Sequence, residues 1–296
     1  MAELGQLKFN QEVLTHFLGS ANTLIDGAKL SEFPILKTEQ IFPEYCEYYP
    51  PSRDEKGNQN GNYIITVDTS RGADLDSSAF VVIDISVMPY KVVAKYKCST
   101  VSTLMYPEVI HKVALRYNNA FVLIETNDLG QQVADILFYD LEYENVYMSY
   151  QDKLKEGGTG GTNKRPGLRT TKKTKSIGCS TLKVLVESNH IELNDSDIID
   201  ELHHFVRAGT SYKAEEGYHD DLVMCLVMFS YLTQEEVFKQ LFDFSLRHEF
   251  IKKQMNEFED QLEPIGFVDR GLPDEEVPTV QMGGDLWFEV NVGDPW

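Results

Sequence analysis

The sequence predicts an α/β protein built on a mixed sheet. Three observations carry this. Three β-rich runs follow one another at 63–68 ("YIITVD"), 78–85 ("SAFVVIDI") and 90–99 ("YKVVAKYKCS"), the spacing of an antiparallel meander. A wholly apolar run, "AFVLIE" at 120–125, reads as a strand covered on both faces. From there helices and strands alternate, giving βββαβαβ followed by helices, an order unlike a doubly wound array.

Each element has its own warrant. Residues 1–30 read as helical, then loop-like, and 43–62 as a polar linker or long loop punctuated by Pro and Gly. Helical spacing recurs at 103–118 and 130–143, with a further strand at 145–150. Residues 155–175 are glycine-rich and then basic, the composition of a mobile loop. Helices are expected at 177–189 and 196–207, a buried one at 221–232, and a long amphipathic one over 234–260, before an acidic tail. The expected organisation is an N-terminal segment and linker at 1–60 packed on the core, the core itself at 61–233, and a C-terminal helix and tail at 234–296.

Composition bounds the function. Hydrophobic residues at 42% and aromatic residues at 11% describe a folded globular chain, and 296 residues suffice for one large core. The formal net charge of −20 argues against nucleic-acid binding from the mean alone. The charge is uneven, however. Residues 256–296 hold eleven acids against one arginine, whereas 151–190 hold nine bases against three acids. None of the four cysteines forms a C-x-x-C pair, so a zinc site is not expected; Cys98 and Cys225 read as small core residues of a cytoplasmic protein. The longest apolar run is about eight residues, against the ~20 that span a bilayer, so no membrane partner is expected.

Acidic residues recur in one context. Asp68 ends one apolar strand, Glu125 ends another, and Asp220 and Asp221 open the buried helix. Strand ends are where α/β sheets collect ligand sites, and a carboxylate there is partly desolvated and needs a partner. One of Asp220 and Asp221 reads equally as a helix N-cap, and Asp68 as the cap of its own turn. No local pattern sets a lysine or arginine beside these acids. Converging carboxylates without thiolates suit hard divalent ions such as Mg²⁺ or Mn²⁺, and a basic loop suits a phosphate backbone. The stretch "GGTGGTNK" lacks the spacing of a phosphate-binding loop and reads as a flexible loop.

Four stretches in order, "YIITVDTSRGADLDSSAFVVIDI", "VLIETNDLGQQVADIL", "TKKTKSIGCSTLKVLVE" and "AEEGYHDDLVMCLVMF", resemble the C-terminal nuclease domain of the large terminase subunit of T4-like tailed phages. The resemblance implies a ribonuclease H-like (RuvC/integrase-like) fold: a mixed central sheet flanked by helices. It implies an endonuclease that cuts concatemeric double-stranded phage DNA during packaging, by hydrolysis of phosphodiester bonds with two Mg²⁺ or Mn²⁺ ions and little sequence specificity. Carried over by position, Asp68, Glu125 and Asp221 are the implied catalytic and metal-holding residues, with Asp68 shared between the ions. Asp76 and Asp220 are expected beside the ions, Asp220 capping the helix or supporting its neighbour, and His219 in a supporting position. Lys164, Arg165, Arg169, Lys172, Lys173 and Lys175 match the family's lysine-rich approach to DNA.

Implied partners are the terminase ATPase domain, absent from this chain, the portal protein and the small terminase subunit. The implied location is the host cytoplasm at the procapsid portal. The chain is expected to be the nuclease part of a longer protein. Two other readings stand beside this one: a RuvC-like junction resolvase, and a non-catalytic module docking on DNA or portal.

Overall fold

The computed structural model describes residues 22–36, 39–42, 44–70, 77–151, 163–241, 279–281 and 287–289. Its central sheet is assembled from β1 (Glu39–Phe42), β2 (Tyr45–Glu47), β3 (Tyr63–Asp68), β4 (Ser78–Asp84), β5 (Tyr90–Cys98) and β6 (Phe121–Ile124), in the order β1-β2-β5-β4-β3-β6. The β3-β4-β5 meander is antiparallel, as its spacing predicts. β6 then joins β3 in parallel, which makes the sheet mixed. A short strand, Ile191–Glu192, adds in parallel to the start of β5.

The pleat sends alternate residues to opposite faces, and two cores result. Ile64, Val81, Ile83 and Leu123 pack on one face with Leu182, Leu226 and Phe229. Ile65, Phe80, Val82 and Val122 pack on the other with Tyr106, Ile110 and Leu137. The second face is covered by α-helices Tyr106–Arg116 and Gly130–Asp135. The first is covered by Lys172–Glu187, Ser196–His203 and Asp221–Leu232. Counting the short Gly27–Leu30 helix as α1, these five are α2 to α6 in chain order. Every residue of α6 from Asp221 to Ser230 is buried, as expected of a helix that is apolar all round.

Several local expectations are corrected. The linker at 43–62 contains β2, which pairs with β5 and so belongs to the sheet. The helix expected at 130–143 gives way after Asp135 to a wider π turn, Ile136–Asp140. The strand expected at 145–150 divides: Val146 bridges Val122 in the main sheet, while β7 (Met148–Gln151) pairs antiparallel with β8 (Asn163–Pro166). The expected loop at 155–175 therefore contains a strand and the start of a helix. α4 begins at Lys172 because Thr171 and Thr174 exchange reciprocal capping bonds there. α5 stops at His203, and the chain turns into a hairpin, Phe205–Ala208 with Ser211–Ala214. Gly209, at φ +63°, supplies the positive dihedral that its two-residue turn requires. Cys225 is buried as expected, but Cys98 is only half-buried.

Of the helix expected over 234–260, residues 234–235 are a turn, 236–241 are helical, and 242–260 lie outside the described residues. Residues Glu249–Trp296 form a separate unit, in which Thr279–Gln281 pairs antiparallel with Trp287–Glu289; two strands thus lie within the expected acidic tail.

Helices α4 and α6 approach so closely at Gly178 that an added Cβ would lie 2.4 Å from the Val227 carbonyl oxygen. Gly178→Ala is expected to destabilise the domain by about 1–3 kcal/mol, outweighing the ~1 kcal/mol by which alanine favours a helix. Thermal denaturation checks this; an unchanged or higher melting temperature refutes the close approach.

Candidate metal and nucleic-acid site

Parallel pairing of β3 with β6 sets Val67 against Ile124. The next residue on each strand is the acid, so Asp68 and Glu125 come side by side at the carboxyl edge of the sheet. The Glu125 N–H donates to the Val67 carbonyl at 2.9 Å, continuing the ladder past the last strand residue. Strand alternation points both acids to the face that α6 covers, since Ile64 and Leu123 lie in that core. The Asp68 and Glu125 side chains share a hydrogen bond. Burial first, and then the charge of Glu125, raise the Asp68 carboxyl well above the usual carboxylate range; Asp221 and Asp220 add to the effect. The cause is a surplus of negative charge in one desolvated place.

Asp221 is buried in the first turn of α6, with Oδ2 accepting the Ser77 N–H at 3.3 Å. Asp220 stands at the N-cap position but makes no side-chain capping bond, so the cap, the first of its two expected roles, is not the one it takes. Glu201, reaching across from α5, does that instead. Its Oε2 accepts the N–H groups of Leu222 at 2.8 Å and Val223 at 3.0 Å. A carboxylate at this end also complements the positive pole of the helix.

Cations are present as well, brought from a distance. Lys97 Nζ lies 2.5 Å from Glu201 Oε1 and 3.5 Å from Asp221 Oδ2, and Lys175 Nζ lies 3.8 Å from Asp220 Oδ2. Burial pushes the Glu201 carboxyl up to about 7, against the pull of Lys97 and of the Val223 N–H. Burial works against the Lys97 ammonium too, but the charges of Glu201 and Asp221 hold it above its ordinary value.

Lys97 is the upper rung of a ladder. Lys95, two residues earlier on the same face of β5, bonds to Asp195 at 2.7 Å and Asp197 at 2.5 Å. Two residues of strand advance about 6.6 Å and four of helix about 6 Å, so Lys95 and Lys97 match Asp197 and Glu201. Asp195 also caps α5 through the Ile198 N–H and accepts from the Tyr48 hydroxyl.

The basic stretch borders these acids. Leu168 bridges to Glu125 on the free side of β6, and Asn127 Nδ2 donates both to Glu125 Oε1 at 2.7 Å and to the Thr170 carbonyl at 3.2 Å. Arg169 follows Leu168, and Lys172, Lys173 and Lys175 occupy the first turns of α4. Lys164 and Arg165 are exposed on β8. Lys175 also lies 5.5 Å above the Phe205 ring. His219 is exposed just before Asp220. Asp76 lies outside the described residues.

Lys97, Glu201 and Asn127 were not singled out by the sequence. The available signal was a pair of lysines two apart in an alternating strand, with acids at i and i+4 in a later helix. Among the described residues no three carboxylate, imidazole or thiolate donors stand at the spacing of one ion's ligands. The donor chemistry nevertheless fits a hard divalent cation: acidic oxygens throughout, and a crowded carboxyl pair whose mutual repulsion a cation would offset.

A mixed α/β sheet with helices on both faces and acids gathered at one strand edge defines a ribonuclease H-like domain. The model of the terminase RNaseH-like domain family matches residues 65–231, and the chain belongs to that family. Solved structures share the fold. The large terminase nuclease of thermophilic phage G20c with bound magnesium is 20% identical, at a TM-score of 0.54 over 72% of this chain and 98% of that one. The same nuclease with bound cobalt gives the same values. The Thermus phage P74-26 large terminase nuclease domain is 19% identical, at 0.50 over 72% and 95%.

Asp195→Asn keeps the shape of the α5 cap but removes the buried charge facing Lys95. It is expected to cost about 3 kcal/mol or more, read as a lower urea midpoint; a change under about 1 kcal/mol would show that the exposed Asp197 suffices as partner.

Proposed function

We propose that this domain is a divalent-metal-dependent endonuclease that cuts double-stranded DNA during viral genome packaging, with little sequence preference. The observation that carries the reading is the meeting of Asp68 and Glu125 at the sheet's carboxyl edge beside the mouth of α6. Membership of the terminase family and the bound magnesium and cobalt of the G20c nuclease support it.

Asp68, Glu125 and Asp221 would hold the ions, two in number, with Asp220 and Asp76 as nearby acidic oxygens. Bound there, Mg²⁺ or Mn²⁺ supplies positive charge for the developing phosphoryl oxygens and acidifies the attacking water. The chain's own residues set the stage. Asn127 orients Glu125 through the 2.7 Å bond and ties it to the segment leading into α4. Glu201 fixes the first turn of α6 and with it the Asp221 backbone.

DNA contact falls to the basic run. Lysines in the first turns of a helix oppose its positive N-terminal pole, so Lys172, Lys173 and Lys175 of α4 bring no benefit to the helix itself. The same pole, free N–H groups and ammonium groups together attract a phosphate, and Lys164, Arg165 and Arg169 extend the surface. Such contacts read the backbone and not the bases. His219, exposed beside Asp220, is a supporting residue at this edge. The domain would work with the terminase ATPase domain, the small subunit and the portal protein, in the infected host's cytoplasm.

Asp68→Asn, Glu125→Gln and Asp221→Asn are each expected to lower plasmid cleavage in Mg²⁺ or Mn²⁺ by more than about a hundredfold, with the melting transition retained. Near-normal cutting by any of them removes that residue from the scheme. Lys172→Ala combined with Lys173→Ala should weaken duplex binding and make the plot of log K against log salt shallower by about 1.8; an unchanged slope excludes these lysines as phosphate contacts.

A further inference from the structure

The half-buried ammonium of Lys97 lies within reach of two carboxylates of different duty. Glu201 holds it at 2.5 Å while capping α6 with its other oxygen, and Asp221 lies 3.5 Å from the same ammonium. Side-chain exposures are 25% for Lys97, 6% for Glu201 and 8% for Asp221, so solvent screening between these charges is weak. Register explains how the lysine reaches this place. Asp68, Ala79 and Lys97 lie in one line across β3, β4 and β5, and directly opposed residues of an antiparallel pair share a face.

The geometry points to Lys97 as the internal counter-cation of Asp221, and to Glu201 as the residue that draws it off, so that this pair sets the affinity of the site for divalent ions. The inference rests on the reading of Asp68, Glu125 and Asp221 as ion-holding residues. A cation entering beside Asp221 meets a positive charge a few ångströms away. Glu201 offsets that repulsion, because its negative charge is closer to the ammonium than Asp221 is. Both residues are positioning residues: neither needs to touch the ion or the DNA.

Opposite signs follow from the two single substitutions. At a pH that keeps Glu201 ionised, Lys97→Met removes the competing charge and leaves that of Glu201, so ion affinity rises. Glu201→Gln keeps a carbonyl oxygen for the Leu222 and Val223 N–H groups but leaves Lys97 to Asp221 alone, so affinity falls. The double variant removes a pair of zero net charge and returns affinity towards that of the parent. A purely structural pair would weaken binding in both single variants.

The test is Mn²⁺ binding to the protein without DNA, read from the free-Mn²⁺ electron paramagnetic resonance signal, with a thermal melt on each variant. Expected are a Kd roughly tenfold lower for Lys97→Met and roughly tenfold higher for Glu201→Gln, the scale of one charge at this range in a partly screened site. Should Lys97→Met fail to fold, the comparison of Glu201→Gln with the double variant isolates the same charge, and Mn²⁺ binding should tighten roughly tenfold on adding Lys97→Met. Shifts in the same direction for both single variants, no shift on adding Lys97→Met to Glu201→Gln, or equal affinity throughout would overturn the inference. Absence of Mn²⁺ binding by the unsubstituted protein would instead overturn the ion-site reading on which it rests.

Discussion

The parallel pairing of β3 with β6 is the constraint on which the rest of this molecule depends. The meander alone would leave Asp68 at a strand end with no acidic neighbour. The in-register approach of β6 sets Glu125 beside it and forces two carboxyls into one desolvated place. Like charges so close are unfavourable in a buried setting, and the fold tolerates them because two apolar cores hold the sheet from both sides. Gly130 fits the same account. A Cβ there would lie 1.8 Å from the Glu125 carbonyl oxygen, so α3 starts close against the backbone that presents the acid.

Around that crowded pair the structure distributes opposite charge with economy. Two lysines of β5 meet acids of α5 at matched spacing, and the upper lysine also faces Asp221. Glu201 belongs at once to this ladder and to α6, whose first turn it caps in place of Asp220. The Asp220 side chain is thereby left facing Lys175. Buried ion pairs are weak evidence for stability as such. Here Glu201 links the ladder to the first turn of the helix that carries Asp221.

The basic stretch gains meaning from its neighbours as well. As composition it is a run of lysine and arginine beside glycines. As structure it becomes a strand beside β7, a bridge alongside Glu125, and a capped helix whose first turns carry three lysines. Chain continuity from Leu168 through Thr170 to Lys172 takes the protein from the acidic edge to the basic surface within a few residues, which suits a reaction in which a backbone is held and cut in one place.

Much of this was legible in the residues. Continuous β-branched or apolar runs gave two strands of the meander and the buried β6, and alternation gave the third, because burial on a pleated sheet must alternate or run continuously. The apolar run after Asp221 could only be an interior helix. The candidate acids stood out because a carboxylate ending an apolar strand is costly without a partner. The hairpin after α5, the membership of β2 in the sheet and the early start of α4 were missed; their signals, a Gly-Thr turn and a Thr-Thr cap, are short and were outweighed by composition. Lys97 and Glu201 lay beyond reach for a different reason. Local sequence determines which residues are apolar, which face they share and where a helix can begin, since these follow from spacing along one chain. Which acid caps α6 and which cation faces Asp221 was decided only by packing α5 across β5, because charge pairs more than a hundred residues apart meet through register and helix placement, which no local pattern encodes.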